Sequence, residues 1–397
     1  MSEPRRVLYH HRIRADDGQA VHVRELIAAL RSRGHSVDEC ALVPKAAGDT
    51  ASLDAGSAPV GFWQRLRLPR AAVEIAEVAY NRRGRAMLRA RAAVARPDFV
   101  YERHALHLRA GLDVARELDV PLLLEVNSPM TVEMGRLRLL RMPRRARRTE
   151  RDVLAKADAV LAVTEVLADI LVDLGAPRDR VHVIGNGANP DRYDDAVRAE
   201  AMQRRKSWRL ADDGFVLGFV GYMRPWHRLD LILELMCRPG FERLQLVLMG
   251  AGPALAPLRD EARRRGVEGR VIWAGVVPSA ELPSYVSACD GALIPAINDY
   301  ASPLKLFDSL SAGVLTLAPD QPNLRENIVD GETGLLFRAG DVDDLASKLG
   351  AVVRDREASR RIGAAGRRAL LDHDWTWSGN ADRVLEIYES LRARRRA

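Results

Sequence analysis

Short apolar runs rich in Val and Leu recur along this chain, separated by amphipathic stretches of ten residues or more. They fall at 6–9, 99–101, 121–126, 159–163, 181–184, 216–221, 244–249, 271–274, 291–294 and 314–317, and a further strand starts at Val37. Runs of this length without polar alternation read as strands buried on both faces. Helices between them imply parallel pairing, because a parallel connection needs a long crossover. The fold class expected is therefore α/β, with doubly wound parallel sheets. At 397 residues the chain exceeds one ordinary core, so two such domains are expected. The stretch between Asn189 and Asp213 is polar, lacks a strand pattern and reads as the linker. The domains are accordingly placed at 1–205 and 206–374. Helices are expected at about 20–33, 70–95 and 135–156, and residues 45–60, rich in Ala, Gly, Ser and Pro, read as a flexible loop.

Composition excludes several classes. No apolar run approaches the roughly 20 residues that a membrane span requires, and residues 1–25 lack a signal peptide's apolar stretch, which points to the cytosol. Cys40, Cys237 and Cys289 are far apart, without CxxC spacing, and read as reduced, mostly buried thiols. The nine histidines show no ligand spacing, so no metal is expected. Lys and Arg number 61 against 54 acids. Much of that excess lies in Arg136, Arg138, Arg141, Arg144, Arg145, Arg147, Arg148 and Arg151, a segment whose only acid is Glu150. Two readings stand for it: a surface for an anionic membrane or a phosphorylated acceptor, or a solvated helix face. It has no interleaved aromatics to stack bases, which argues against nucleic acid.

Residues 299–313 carry the sharpest chemistry. Pro303 presets a first helical turn and Ser302 is placed to cap it. The Leu304 and Lys305 amides then point out of a helix end, where a pyrophosphate docks. Asp308 lies one turn on, within reach of a ribose diol. Ligands of doubly wound domains bind where strands end, so the loops after Tyr9, Tyr101, Val126, Ile184, Gly221, Met249, Ala274 and Ile294 are the candidates, facing one cleft between the domains. Gly18 opens a helix and would let backbone approach a phosphate. In the loop after Gly221, Arg224 and His227 are three residues apart and could place cationic donors around a diphosphate. The bland alternatives are a surface salt bridge for Arg224 and a helix cap for His227. Gly250, in Met249-Gly-Ala-Gly-Pro253, reads as the close-packed wall of a nucleotide pocket.

Together these pieces resemble glycosyltransferase family 4, the retaining nucleotide-sugar transferases of GT-B fold. The match runs from the Gly18 loop through Arg33-Gly34-His35-Ser36-Val37, Ala157 to Thr164, Val183 to Gly187, Val220-Gly221, the GxGP turn and Ala288-Cys289-Asp290 to Asp330-Gly331-Glu332-Thr333-Gly334. Tyr101-Glu102-Arg103 and Leu124-Glu125-Val126-Asn127-Ser128-Pro129 are similar to a subgroup associated with bacterial surface-polysaccharide assembly. The resemblance implies that Asp308, in place of the second Glu of the family's Glu-x7-Glu, holds the ribose. Tyr300 stands where the first Glu is expected. Arg224 and His227 stand for the paired Arg and Lys at the donor phosphates, and the base would be read by backbone near Val276. Asn127 replaces a His that touches the donor sugar, with His104 nearby in sequence. Arg224, Lys305 and the Leu304 and Lys305 amides would stabilise the leaving diphosphate, with no metal required. The helix at 375–397 would return to the first domain. Asp341-Val-Asp343 reads as helix-start charge.

The function implied is transfer of a sugar from a nucleotide-diphosphate sugar, UDP or GDP, to a glycan, lipid-linked or small-molecule acceptor. Such an enzyme would work in the cytoplasm, alone or peripherally at the inner face of the membrane. The alternatives are a GT-B epimerase or phosphorylase, or a non-catalytic nucleotide-sugar-binding protein.

Overall fold

The computed structural model describes residues 3–15, 17–45, 69–208, 211 and 213–396. Apart from Lys45, the loop expected at 45–60 lies outside them. The chain forms two compact units. Unit 1 runs to Gly185 and resumes at Trp377; unit 2 holds the stretch Asn186–Thr376.

Unit 1 is built on strands β1 (Arg6–His10), β2 (Ser36–Cys40), β3 (Phe99–Arg103), β4 (Leu122–Val126), β5 (Ala159–Ala162) and β6 (Val181–Val183), in the order β2-β1-β3-β4-β5-β6. Unit 2 is built on β7 (Phe215–Val220), β8 (Leu244–Met249), β9 (Val271–Gly275), β10 (Gly291–Leu293), β11 (Leu315–Pro319) and β12 (Leu335–Phe337), in the order β12-β11-β10-β7-β8-β9. Every pairing is parallel. Strands β3, β4 and β8 are buried at every residue, as helices on both faces require. The apolar runs thus appear as strands. β12 is an addition, because the Asp330–Gly334 turn leads into a short strand that sequence reading left within a motif.

Three expectations shift. The helix predicted over 135–156 is two, Met130–Arg136 and Pro143–Lys156, because Pro143 lacks the amide a continuing helix needs and Arg138 is left-handed at φ 54°. The linker predicted within 189–213 contains the helix Asp195–Ser207, capped by Asp194. Arg204 of that helix pairs with Glu281 and Arg205 with Asp290, so it belongs to unit 2, and the division falls at Gly185 rather than 205. Of the thiols, Cys40 and Cys289 are buried but Cys237 is exposed.

The last helix, Trp377–Arg396, belongs to unit 1. Tyr388 stacks on Phe99 at 4.7 Å, Trp377 packs edge-on to His22, and Arg5 reaches Glu389 at 2.7 Å.

Candidate functional site

In unit 2 the chain order reverses between β7 and β10, since β7, β8 and β9 run outward one way and β10, β11 and β12 the other. Ligands of such sheets lie beyond the carboxyl ends of the strands at this point. The residues there are Gly221, after β7, and the 294–303 segment, which leads into helix Leu304–Ala312. Leu306, Phe307 and Leu310 of that helix are at most 1% exposed. Burying such side chains contributes about 1.5–3 kcal/mol each, which seats the helix start firmly at the strand ends.

Pro303 is the N-cap, with no side-chain cap, and the helix begins at Leu304. Ser302 does not cap it: its hydroxyl accepts from the Asn186 amide at 3.1 Å, and the Asn186 side chain donates to the Ser302 carbonyl. The Leu306 amide bonds to the Pro303 carbonyl, whereas the Leu304 and Lys305 amides make no hydrogen bond among the described residues. The Lys305 ammonium sits 4.1 Å from the centre of the Phe219 ring, and a Cβ added at Gly221 would lie 3.3 Å from it. No carboxylate pairs with it among the described residues. Lys305 is half-buried, and desolvation brings its pKa down to about 7.

Gly221 and Gly250 adopt φ of +141° and +132°. A side chain at Gly250 would overlap the Gly221 carbonyl. The Met249–Pro253 turn is therefore a wall packed on the Gly221 loop, held by Met223 N–H on the Ala251 carbonyl at 2.6 Å. Arg224 is exposed, stacks its guanidinium 5.1 Å from the exposed Tyr222 ring, and has no acidic partner among the described residues. His227 corrects the cationic role expected of it. It is 7% exposed, and burial, with Lys305 and Arg224 beside it, pushes its pKa down to about 3. Its Nδ1 accepts from the Arg224 amide at 3.1 Å, so the neutral ring caps the turn and keeps Nε2–H as a donor.

Asp308 accepts from the Tyr193 hydroxyl at 2.9 Å. Tyr193 is 3% exposed and was missed, because it lies in the stretch read as linker. Tyr300 is 5% exposed, and its hydroxyl accepts from Asn298 at 3.2 Å. Asn323 donates to the Asn298 and Ala301 carbonyls and so holds this segment. Val276 is half-buried just beyond β9.

In unit 1 the expected residues take other roles. Gly18 starts helix Gly18–Ser32, but the Asp17 carboxylate caps it, accepting from Gln19 N–H at 3.0 Å. A phosphate there would meet that charge, so the anion role expected of Gly18 is not supported by its surroundings. The enclosed His104 ring pairs with Glu150 at 3.1 Å, and Thr131 donates to the same carboxylate. His104 thus ties the basic helix Pro143–Lys156 to the strand ends. Asn127 is half-buried and donates to Glu125. Glu125 also receives His22, Tyr9, Tyr101 and Arg103, a cluster that sequence reading did not assign although Glu125 and Tyr101 stood in its motifs.

Among the described residues no group of three or more His, Cys, Asp and Glu is arranged to hold a metal ion, and no helix is long and apolar enough to cross a membrane. Asp341 accepts from the Asp343 and Asp344 amides, the helix-start role expected.

Residues 17–192 match the family described as "Glycosyltransferase Family 4", and residues 201–369 the one described as "Glycosyl transferases group 1". A D-inositol 3-phosphate glycosyltransferase from Nocardia farcinica is 31% identical over 252 residues, covering 61% of this chain and 54% of that protein. The chain thus spans little more than half the length of such curated relatives. Over whole chains, the sucrose-phosphate synthase of Thermosynechococcus elongatus superposes with a TM-score of 0.76 at 19% identity, covering 98% of this chain and 99% of that one. Anabaena Alr3699/HepE, solved in complex with UDP, gives 0.69 at 15%, covering 97% and 100%. At those identities the likeness establishes a shared fold.

Proposed function

Because this chain belongs to glycosyltransferase family 4 and carries the two-domain GT-B fold, we propose that it transfers a sugar from a nucleotide-diphosphate sugar to a glycan, lipid-linked or small-molecule acceptor. Retention of configuration and independence of metal ions are part of this reading. The observation that carries it is the desolvated ammonium of Lys305, which no carboxylate pairs among the described residues, beside the Leu304 and Lys305 amides, which make no hydrogen bond among them, at the switch point of unit 2. A desolvated cation without a counter-ion is unfavourable in a resting protein, and a diphosphate supplies what it lacks. During transfer, charge grows on the leaving diphosphate. Lys305, Arg224, the helix-start amides and His227 Nε2–H would stabilise it, and the donor phosphate would take the acceptor's proton. Asp308, oriented by Tyr193, would hold the ribose. UDP and GDP are the expected carriers, with the base near Val276.

Unit 1 would supply neutral hydrogen bonds to the sugar through Asn127. The acceptor side of the reading draws on the basic segment: Arg136 and Arg147 line a cavity of about 310 Å³ with Thr131, Val132, Gly135 and Leu174, and neither has an acidic partner among the described residues. An acceptor carrying phosphate fits that lining.

Incubation with a panel of UDP-, GDP- and dTDP-sugars tests the proposal by thermal stabilisation and by release of nucleoside diphosphate. A donor at a hundred times its dissociation constant should stabilise the fold by about 2.7 kcal/mol. If no donor stabilises or is turned over, the reading fails. A second reading, a nucleotide-sugar-binding protein without transfer, draws on Tyr300: a buried phenol stands where the family has a glutamate, and Asp299 beside it is exposed. Stabilisation without turnover, in the presence of varied acceptors, would favour it.

A further inference from the structure

We infer that Glu125 is a positioning residue that sets the direction of the Asn127 amide, so that unit 1 offers a hydrogen-bond acceptor, not a donor, to the sugar hydroxyl reaching it. The inference rests on the reading above, in which Asn127 meets a sugar. Five groups converge on this carboxylate. His22 Nε2 is at 2.9 Å, the Tyr101 hydroxyl at 2.8 Å and the Tyr9 hydroxyl at 3.4 Å, with Arg103 Nη1 and Asn127 Nδ2 also bonded to it. They come from β1, β3, the helix Gly18–Ser32 and the loop after β4, so the carboxylate is gripped from separate elements. Glu125 is 2% exposed and Arg103 6%.

An ionised carboxylate only accepts, so every group touching it must donate. Burial opposes the charge, but His22 and Arg103 prevail and hold the Glu125 carboxyl well below the usual range. An asparagine in a loop otherwise turns its amide either way. Here the buried charge holds the NH2 inward and leaves Oδ1 to face outward from a half-buried side chain. That oxygen accepts from a hydroxyl. A sugar whose facing hydroxyl is replaced by hydrogen or a methyl ether forfeits the bond.

Exchanging the polarity of the pair tests this. Asn127→Asp alone sets two carboxylates against each other, so that one must hold a proton. Glu125→Gln alone releases the amide of Asn127 from its forced direction. The double variant Glu125→Gln, Asn127→Asp keeps one negative charge near Arg103 and one donor–acceptor pair, with the roles swapped.

The first readout needs no substrate. Thermal melts from about pH 5 to 8 should show Asn127→Asp losing stability as pH rises and the shared proton leaves, while the double variant and the unaltered protein show no such loss. An Asn127→Asp profile parallel to the unaltered protein overturns the inference. The second readout is kcat/KM with the donor found above. Each single variant should fall about tenfold or more, and the double should recover to within about fivefold of the unaltered protein. A double variant as impaired as the two singles multiplied, with its fold intact by circular dichroism, also overturns it. If the unaltered protein transfers no sugar from any donor, the functional reading fails, and the melts still decide whether Glu125 and Asn127 form the pair.

Discussion

At the strand ends of unit 1, charge is answered from within. His10 meets Glu102 at 2.5 Å, His11 meets Glu39 at 2.8 Å, His22 and Arg103 share Glu125, His104 meets Glu150 and His107 meets Glu74 at 3.2 Å. At the switch point of unit 2, Lys305 and Arg224 face no acid among the described residues, and the walls are close-packed glycine turns. Two sheets of the same architecture are thus finished in opposite ways. At its strand ends unit 1 uses hydrogen-bonded carboxylates as scaffold and presents the neutral Asn127. Unit 2 leaves positive charge unanswered at the place where a ligand phosphate would enter.

The sharpest way to break this contrast is to remove one cation from each unit. Arg103→Met should destabilise the fold by about 4 kcal/mol, because it strands a buried carboxylate. Lys305→Met should leave stability unchanged or raised, since it removes a desolvated charge that no carboxylate pairs among the described residues. Denaturant midpoints check both, and equal losses would dissolve the contrast. The same Lys305→Met substitution should weaken donor binding about a hundredfold, near 2.7 kcal/mol, as loss of a charge-assisted bond to phosphate. Titration calorimetry reads that directly, and unchanged affinity removes Lys305 from the site.

The two units should also respond oppositely to pH. Glu125 is held below the usual carboxyl range, so its contribution is present at neutral pH and is lost as pH falls through its folded value. Lys305 is depressed from 10.5 to about 7. Its ammonium therefore weighs against folding below pH 7, and that penalty lifts as pH rises toward 10.5. Donor binding runs the other way. A diphosphate favours the ammonium, so affinity should fall as pH rises through 7 in the unaltered protein and stay flat in Lys305→Met. Calorimetry in buffers of different ionisation enthalpy should show proton uptake on binding near neutral pH, and none in the variant.

Smaller effects refine the picture. Asp308→Ala should weaken the donor about tenfold, and Tyr193→Phe by about 1 kcal/mol or less, through a loosened carboxylate. An unchanged donor KM in Asp308→Ala would refute the ribose role. The smallest effect concerns the basic segment of unit 1, whose arginines lack acidic partners among the described residues. Binding to anionic vesicles should weaken with salt, by less than about 1 kcal/mol for each arginine replaced. Equal binding to neutral vesicles would leave the segment as a solvated face.

Legibility differs between the units for the same reason that their sites differ. The donor side of unit 2 was readable because its parts are local in sequence: a helix start, a lysine two residues in, an aspartate one turn on. What failed there were contacts made at a distance, such as Tyr193 reaching Asp308 across 115 residues, or Ser302 turning to Asn186 across 116. Unit 1 works almost wholly at such distances. His22 and Glu125 are 103 residues apart, His10 and Glu102 are 92 apart, and no spacing rule links them. Nine histidines without ligand spacing could exclude a metal motif but could not announce pairs assembled by strand order. The strands themselves were legible, since burial on both faces leaves no room for polar alternation. The broken basic helix could have been read from Pro143, whose missing amide ends continuity.

Among the described residues unit 2 is one unbroken stretch of chain, whereas unit 1 closes only when Trp377–Arg396 returns to it. Synthesis therefore reverses the usual order of domain completion, in which the N-terminal part finishes first. While the ribosome makes unit 2, the nascent first unit waits with Phe99, His22 and Arg5 lacking Tyr388, Trp377 and Glu389. The half of the molecule that emerges first is the last to be sealed, and a chain clipped before its final helix would carry an intact second unit beside an unfinished first.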